Sequence, residues 1–259
     1  MCAAVLCKER KNIMEWMQVL REDFERTFIR DDRYKVFVTG FQNTILITLI
    51  SLVVGLVFGI LIAMIRYGFT QMRKKKAITW YGKLLYKVYW IVDKILALYI
   101  AVMRGVPLVV QLLIMAFVIM AGFPNKVIVC CIAMGLNSAA YVSEVVRGGI
   151  NSVDAGQMEA GRSLGVGTVT TIVYIILPQA FKSALPALCN EGIAVLKETS
   201  VVGYIAVVDL TRASDLVRSR TMSAMMPLLF IAAVYFICVM ILSWGVSILE
   251  RRLKQGDRG

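Results

Sequence analysis

Ionisable side chains inside an apolar stretch are the first candidates for binding chemistry in this sequence. Glu191, Lys197 and Glu198 lie within residues 183–207, a stretch that is otherwise mostly apolar. Charged groups in such surroundings are costly, and they usually face a polar cavity or each other. Two interpretations therefore stand side by side. One is a cavity that offers both signs of charge to a ligand, and the other is a structural ion pair between Lys197 and one of the glutamates.

A second group of candidates lies in the polar segment 147–182, where charged and small residues are mixed. Five of its residues could contact another protein: Glu159, Ala160, Gly161, Arg162 and Gly165. Glu159 and Arg162 offer charged contacts, the small residues allow close backbone approach, and Gly165 can end a short helix. A plain connecting loop is the alternative interpretation of this segment.

Two sequence patterns bear on catalysis, and both argue against an enzyme. Residues 161–165 match the G-x-S-x-G turn of hydrolases, but that motif needs a preceding strand and a triad histidine, and the chain has no histidine. The chain also lacks the G-x-x-x-x-G-K-[ST] loop that cradles ATP phosphates, so another subunit must bind ATP if ATP drives the protein. None of the six cysteines forms a C-x-x-C pair, and we expect no metal site, bound cofactor or disulfide framework.

Long uncharged runs indicate what positions these candidates. Residues 36–65, 105–125 and 221–249 contain no Asp, Glu, Lys or Arg. Hydrophobic residues make up 59% of the chain and charged residues 18%, with a mean hydropathy of +0.73. A membrane-spanning helix needs about 20 apolar residues, and these runs lack the alternation of a barrel strand. The predicted fold class is therefore an all-α membrane protein.

We predict five transmembrane helices, at about 36–65, 88–121, 127–146, 183–207 and 225–249, within a single transmembrane domain at 36–250. The second helix is expected to bend at Met103–Pro107, because Pro107 removes a backbone donor and disfavours helix at Val106. Residues 163–181 are uncharged, but their glycines, Pro178 and three threonines argue against a spanning helix there.

Two of these helices carry patterns that predict tight packing or a polar surface. Small residues recur every four positions in the first helix, at Ser51, Gly55, Gly59 and Ala63. This spacing lets another helix approach closely. The alternative interpretation is a chance recurrence in a glycine-rich helix. The third helix carries a polar set too rich for a lipid-facing surface: Asn137, Ser138, Tyr141 and Glu144.

Residues 1–35 form a leader before the first helix. Apolar residues recur there at near-helical spacing, at Ile13, Trp16, Met17, Leu20, Phe24 and Phe28. This pattern favours an amphipathic helix on the membrane surface, with a solvated helical leader as the alternative.

The distribution of basic residues predicts the orientation of the chain. The net charge of +12 could indicate nucleic-acid binding, but in a membrane protein it is better explained by cytoplasmic loops, and no nucleic-acid partner is expected. Residues 66–87 hold seven Lys and Arg and no acid, which places this segment in the cytoplasm. With five crossings, residues 147–182 and the tail 251–259 are then expected in the cytoplasm, and the N-terminus is expected outside the cell membrane. The eight Lys and Arg of residues 1–35 argue against this orientation.

The polar segment also carries a resemblance to a known family. Residues 157–165 read Gln-Met-Glu-Ala-Gly-Arg-Ser-Leu-Gly and are followed by Ile176-Leu177-Pro178. This pattern resembles the EAA loop of ATP-binding-cassette (ABC) importer permeases. In that family the loop forms a short cytoplasmic coupling helix that sits in a groove of the ATPase subunit. The resemblance implies the fold of a type I ABC importer permease.

Other segments resemble the polar amino-acid branch of that family, which handles substrates such as glutamine, glutamate, arginine, histidine and cystine. Residues 104–111 are similar to R-G-T-P-L-L-V-Q, residues 136–150 to the third helix and loop entry, and residues 190–200 to the N-E and L-K-D-T-S elements. Three positions depart from the pattern: Val106 replaces threonine, Gly161 replaces the second alanine, and Glu198 replaces aspartate. The glycine could loosen the coupling helix by up to about 1 kcal/mol.

The resemblance implies a function and a set of partners. Two permease subunits, identical or different, would line an alternating-access pathway across the bacterial plasma membrane. Partner ATPase subunits would use ATP and Mg, and an extracytoplasmic binding protein would deliver the amino acid. From the charges of the helix itself, the hypothesis is that Glu198 helps hold the cationic group of the substrate, with Asn137, Ser138 and Thr199 as polar lining. The proposed pathway set is Asn137, Ser138, Glu191, Lys197, Glu198, Thr199 and Ser200. A permease for another solute, an exporter and a non-transporting assembly subunit are the alternatives.

Overall fold

The computed structural model describes residues 16–73 and 80–255, and every regular element within those ranges is helical. The helices are α1 (Tyr34–Arg73), α2 (Trp80–Gly105), α3 (Leu108–Ile119), α4 (Lys126–Asn151), α5 (Ala155–Ser163), α6 (Thr168–Ile205), α7 (Leu210–Thr221) and α8 (Met225–Gln255). A mostly helical leader, residues 16–33, precedes α1. The first fifteen residues of the predicted leader, residues 74–79 of the basic segment and residues 256–259 of the tail lie outside the described ranges.

Four of these helices are long and apolar enough to cross a membrane by themselves: α1, α4, α6 and α8. A fifth crossing is formed if α2 and α3 act as one broken span; the two helices are bent by 112° across a short break. The break falls at Val106 and Pro107, where the sequence predicted it. The predicted all-α membrane fold is thus confirmed.

Helix α6 begins well before the start near residue 183 that the sequence predicted. The helical stretch runs from Thr168 to Ile205, so the predicted start was too late, whereas residues 164–167 precede the helix. Gly165 and Gly167 precede the helix rather than interrupting it. A wide π-helical turn, Ile172–Ile176, comes immediately before Pro178, and such a turn accommodates a residue that has no N–H to donate.

Helices α1 and α4 form a close helix pair in the structure. A Cβ atom added to Gly55 would lie 2.6 Å from Ser138 Oγ, and one added to Gly59 would lie 2.5 Å from Val142 Cγ1. Ser51 Oγ donates to the backbone oxygen of Cys131 at 3.3 Å. The predicted small-residue contact is therefore confirmed. Since these contacts follow the same order along both helices, α1 and α4 run parallel.

This parallel pair defines two ends of the molecule. Gly40, near the start of α1, packs against the backbone of Asp209, and Asp209 caps α7 by accepting the N–H groups of Thr211 and Arg212. Burial raises the pKa of the Asp209 carboxyl, although those two hydrogen bonds pull the pKa the other way. At the opposite end, α4 leads directly into α5, and Glu250 of α8 shares a pocket with Asp154, the residue before α5. The C-terminal part of α8 and α5 thus lie at the same end.

Candidate functional site: a polar path and an exposed connecting helix

The break between α2 and α3 is stabilised by two amide side chains. Gln111 Nε2 donates to the backbone oxygens of Met103 (2.8 Å) and Val106 (2.7 Å), which would otherwise lack helical partners. Asn137 of α4 donates to the same Met103 oxygen at 3.0 Å and to Gln111 Oε1 at 3.1 Å. Asn137 was predicted to line a pathway, and the structure uses its donor group to hold this break against α4.

Two half-buried carboxylates follow one face of α6. Glu191 and Glu198 are seven residues apart, which is about two helical turns or 10 Å along the axis. Ser138 Oγ of α4 donates to Glu191 Oε1 at 2.9 Å, so two of the predicted pathway residues meet across a helix interface. This face presents negative charge and hydrogen-bond acceptors, which suit a cationic group such as an ammonium.

The structure separates the remaining predicted residues from these carboxylates. Lys197 is exposed, and no ion pair joins it to Glu191 or Glu198 anywhere in the part of the chain that is described. Both interpretations of Lys197, a substrate contact and a structural partner of a glutamate, stay predictions. Thr199 is buried and donates to the Leu196 oxygen at 2.7 Å, while Ser200 is half-buried on the following turn.

A network of five charged side chains, which sequence reasoning did not assign to a site, lies between α1, α2 and α4. Glu144 of α4 is 2.6 Å from Arg147, 3.4 Å from Arg66 of α1 and 3.7 Å from Arg104 of α2. Arg66 also binds Asp93 of α2 at 3.0 Å. The available signal was the presence of single acidic residues within apolar helices, since ionisable groups within spans are by default candidates for function.

This network connects the break to the end of α4. Arg104 stands two residues before Val106, and its guanidinium lies 5.4 Å from the centre of the Tyr141 ring. Glu144 and Arg147 occupy the last turns of α4, directly before α5. A set of polar contacts therefore runs from the broken span to the last turns of α4.

Helix α5 has well-defined caps at both ends. Asp154 accepts the N–H of Gly156 at its start. At its end Gly165 has a φ of +77°, its N–H bonds to the Arg162 oxygen at 3.0 Å, and the N–H of Val166 bonds to the Gly161 oxygen at 2.9 Å. This pair of bonds is the Schellman pattern, in which glycine takes the left-handed position. The prediction that Gly165 ends a short helix is confirmed.

The residues of α5 divide between an exposed face and a buried one. Glu159, Ala160 and Arg162 are exposed together, and Leu164 at the end of the helix is 82% exposed. Gly161, predicted as part of the contact surface, instead faces inward, where a Cβ atom would lie 2.7 Å from two side-chain atoms of Thr171. Glycine at this position therefore permits close packing of α5 on α6, and the exposed face alone is free for a partner.

Within the described ranges no group of three or more Cys, Asp or Glu residues is arranged to hold a metal ion. The chemistry that the arrangement supports is binding and passage of a polar solute. Half-buried carboxylates and amides lie along apolar spans. A short capped helix, α5, lies exposed between the spans α4 and α6. This combination defines a class, a membrane-spanning transport subunit.

The comparisons with known proteins identify the family. Residues 79–255 match the model of the binding-protein-dependent transport system inner membrane component, and the chain belongs to that family. It is 34% identical to the arginine transport system permease protein ArtQ of Bacillus subtilis (strain 168), over 84% of this chain and 92% of that protein. It is also 34% identical to a putative glutamine transport system permease protein, GlnP, of Rickettsia conorii, over 85% and 94% of the two chains.

Solved structures agree with this assignment. The crystal structure of an amino acid ABC transporter with histidines matches with a TM-score of 0.72 and 35% identity, covering 85% of this chain and 94% of that one. A structure of the MetNI methionine ABC transporter in an inward-facing conformation matches with a TM-score of 0.68 at 16% identity, covering 86% and 98% of the two chains. The latter similarity shows a shared fold.

Proposed function

We propose that this protein is the membrane-spanning permease subunit of an ABC importer that carries polar amino acids across the plasma membrane by alternating access. The observation that carries the proposal is the exposed face of α5, Glu159, Ala160 and Arg162, on a capped helix between two spans. Permeases named for arginine, glutamine and cystine transport align with 83–87% of this chain, which supports polar amino acids as the substrate class.

The exposed face of α5 is the proposed contact with a partner ATPase. That partner binds ATP and Mg, because this chain has no phosphate-binding loop. Glu159 and Arg162 supply charged contacts and Leu164 an apolar one, while the buried Gly161 keeps α5 packed on α6. Movement of α5 would reach the spans through α4 and the Glu144 network.

The proposed orientation puts the C-terminus inside and the leader outside, where a binding protein would deliver substrate. It is supported by the basic residues that mark a cytoplasmic surface. Arg66 and Arg251 lie towards the end of the molecule that carries α5 and Glu250. A second permease subunit, identical or different, completes the pathway.

Glu191 and Glu198 are the proposed contacts for the ammonium or side-chain cation of the substrate. Ser138 donates to Glu191 and orients its carboxylate. Asn137, one residue before Ser138, donates to Met103 at the break between α2 and α3. Lys197, Thr199 and Ser200 lie on the adjoining turns of α6, and Lys197 is exposed where a substrate carboxylate could meet it.

The test is reconstitution of the permease with its cognate ATPase and binding protein in vesicles. We expect uptake of one polar amino acid that depends on ATP and on the binding protein. Reversing charges on α5, with Glu159→Arg and Arg162→Glu, should release the ATPase on purification, whereas Arg218→Glu on the exposed part of α7 should not. Active isolation without any ATPase, or uptake of a solute other than an amino acid, would contradict the proposal.

A further inference from the structure

The leader presents an exposed apolar face. Trp16 and Met17 are each 63% exposed, and Phe24 is 48% exposed, with Leu20 beside it. At 100° per residue, Met17, Leu20 and Phe24 fall within about 60° of one another on the helix. Glu22 lies on the opposite side and Glu25 on a flank, each paired with an arginine four residues away, while Val19 on the far side is 55% exposed. The leader thus presents an uncovered apolar face and a far side that is mainly charged.

The C-terminal turns of the leader fasten it to the rest of the protein. Ser223 Oγ, just before α8, donates to Asp23 Oδ2 at 3.2 Å, and Thr27 is fully buried. The ring of Phe28 lies 4.9 Å from that of Phe24, 5.5 Å from that of Phe37 in α1 and 4.9 Å from that of Phe230 in α8. The apolar face of the leader therefore packs on the spans at Phe28 and is exposed in the turns before it.

The exposed face continues into the surface of the spans. An apolar groove of about 330 Å³ joins Phe28 to the outer turns of α1 and α8, and it includes the exposed side chains of Tyr34, Val38 and Phe41. Those turns belong to helices that cross the membrane, so this surface contacts lipid. Aromatic side chains concentrate at the level of the lipid headgroups.

We propose that residues 16–28 lie in the interfacial layer of the leaflet opposite α5, with Met17, Leu20 and Phe24 immersed in lipid. Residues 16–33 carry four arginines and five acids, so this part of the leader has no net positive charge to attract anionic lipid. Its binding rests on apolar burial, and it is the same in zwitterionic and anionic membranes. The leader braces the outer ends of α1 and α8 at a set depth.

Tryptophan quenching in the reconstituted transporter tests this placement. The four native tryptophans are replaced by phenylalanine, and a single tryptophan is introduced as Phe24→Trp or as the adjacent, water-facing Glu25→Trp. We expect blue-shifted emission and several-fold stronger quenching by shallow brominated phosphatidylcholine for Phe24→Trp. Aqueous iodide should quench Glu25→Trp several-fold more strongly. Retained amino-acid uptake shows that both variants are folded.

Two results would overturn the proposal. Equal quenching of both variants by iodide, with none by brominated lipid, would place the whole leader in water. Shielding of Phe24→Trp that appears only when the binding protein is added would make the leader a protein-docking surface. A quenching pattern that is unchanged when anionic phosphatidylglycerol is added supports the uncharged, apolar mode of attachment.

Discussion

Ser138 of α4 donates a 2.9 Å hydrogen bond to Glu191 of α6, and this bond holds a carboxylate at the interface of two spans. Seven residues further along the same face, Glu198 has no ion pair with the neighbouring Lys197 among the described contacts. The two glutamates therefore differ in their expected roles. Glu191 is held by the protein, and Glu198 remains available to a cation that passes along the helix.

The first prediction concerns substrate affinity. Glu198→Gln removes a charge while keeping the size of the side chain, and a hydrogen bond to a charged group contributes about 1.5–3 kcal/mol. We expect the KM for uptake to rise about tenfold or more, with kcat changed less. Uptake kinetics across several amino acids measure this. An unchanged KM for every substrate would remove Glu198 from the binding site, and Asp215→Asn on α7 serves as the charge-matched control.

The second prediction concerns the charged network around Glu144. Glu144→Gln removes the carboxylate that is paired with Arg66, Arg104 and Arg147, and of these three only Arg66 keeps an acidic partner, Asp93. Both carboxylates are only about one-fifth exposed. Breaking a fully buried pair costs about 3–5 kcal/mol, so we expect about 2 kcal/mol for this partly exposed one. Thermal unfolding in detergent should show a clearly lower Tm.

A matched control exists for that experiment. Asp215 pairs with Arg218 three residues away on α7, as Glu144 does with Arg147, but both α7 side chains are substantially exposed. Asp215→Asn should change stability by less than about 1 kcal/mol. Equal effects of the two substitutions would show that the Glu144 network contributes no more than an ordinary surface pair.

The third prediction concerns the contact between Gly161 and Thr171. Alanine has the higher helix propensity, yet Gly161→Ala should destabilise the attachment of α5, because its Cβ would lie 2.7 Å from Thr171. Adding Thr171→Ala should restore stability, since it removes both clashing atoms. A double-mutant cycle on Tm and ATPase retention is expected to give a coupling of about 1–2 kcal/mol. Additive effects would argue against this contact.

The fourth prediction compares two neighbouring glycines at the end of α4. A Cβ at Gly149 would lie 2.6 Å from the backbone oxygen of Ala180 in α6, whereas one at Gly148 would meet nothing within 4 Å. Gly149→Ala should therefore separate α4 from α6 and lower both Tm and uptake. Gly148→Ala should be neutral or stabilise the protein by up to about 1 kcal/mol. The reverse order of effects would contradict the packing described for these helices.

Several features of the fold follow from local sequence alone. Uncharged runs longer than a membrane thickness predicted the spans, because lipid admits only backbone whose polar groups bond within the segment. Pro107 predicted the break and Gly165 predicted a helix end, because both residues act through their own backbone geometry. The start of α6 was misjudged, because a π-helical turn before Pro178 relieved the constraint that this proline imposes.

The partners of the charged and small residues were decided only by the tertiary structure. Sequence alone marked Glu144 as a polar residue within a predicted span, but the helix packing brings it together with Arg66 and Arg104 from positions far apart in the chain. The same packing turned Gly161 towards Thr171 and left Lys197 without an ion pair to either glutamate. Spans and breaks depend on neighbouring residues, whereas each ion pair and close contact depends on the register between helices, and that register is set by the packing of the whole molecule.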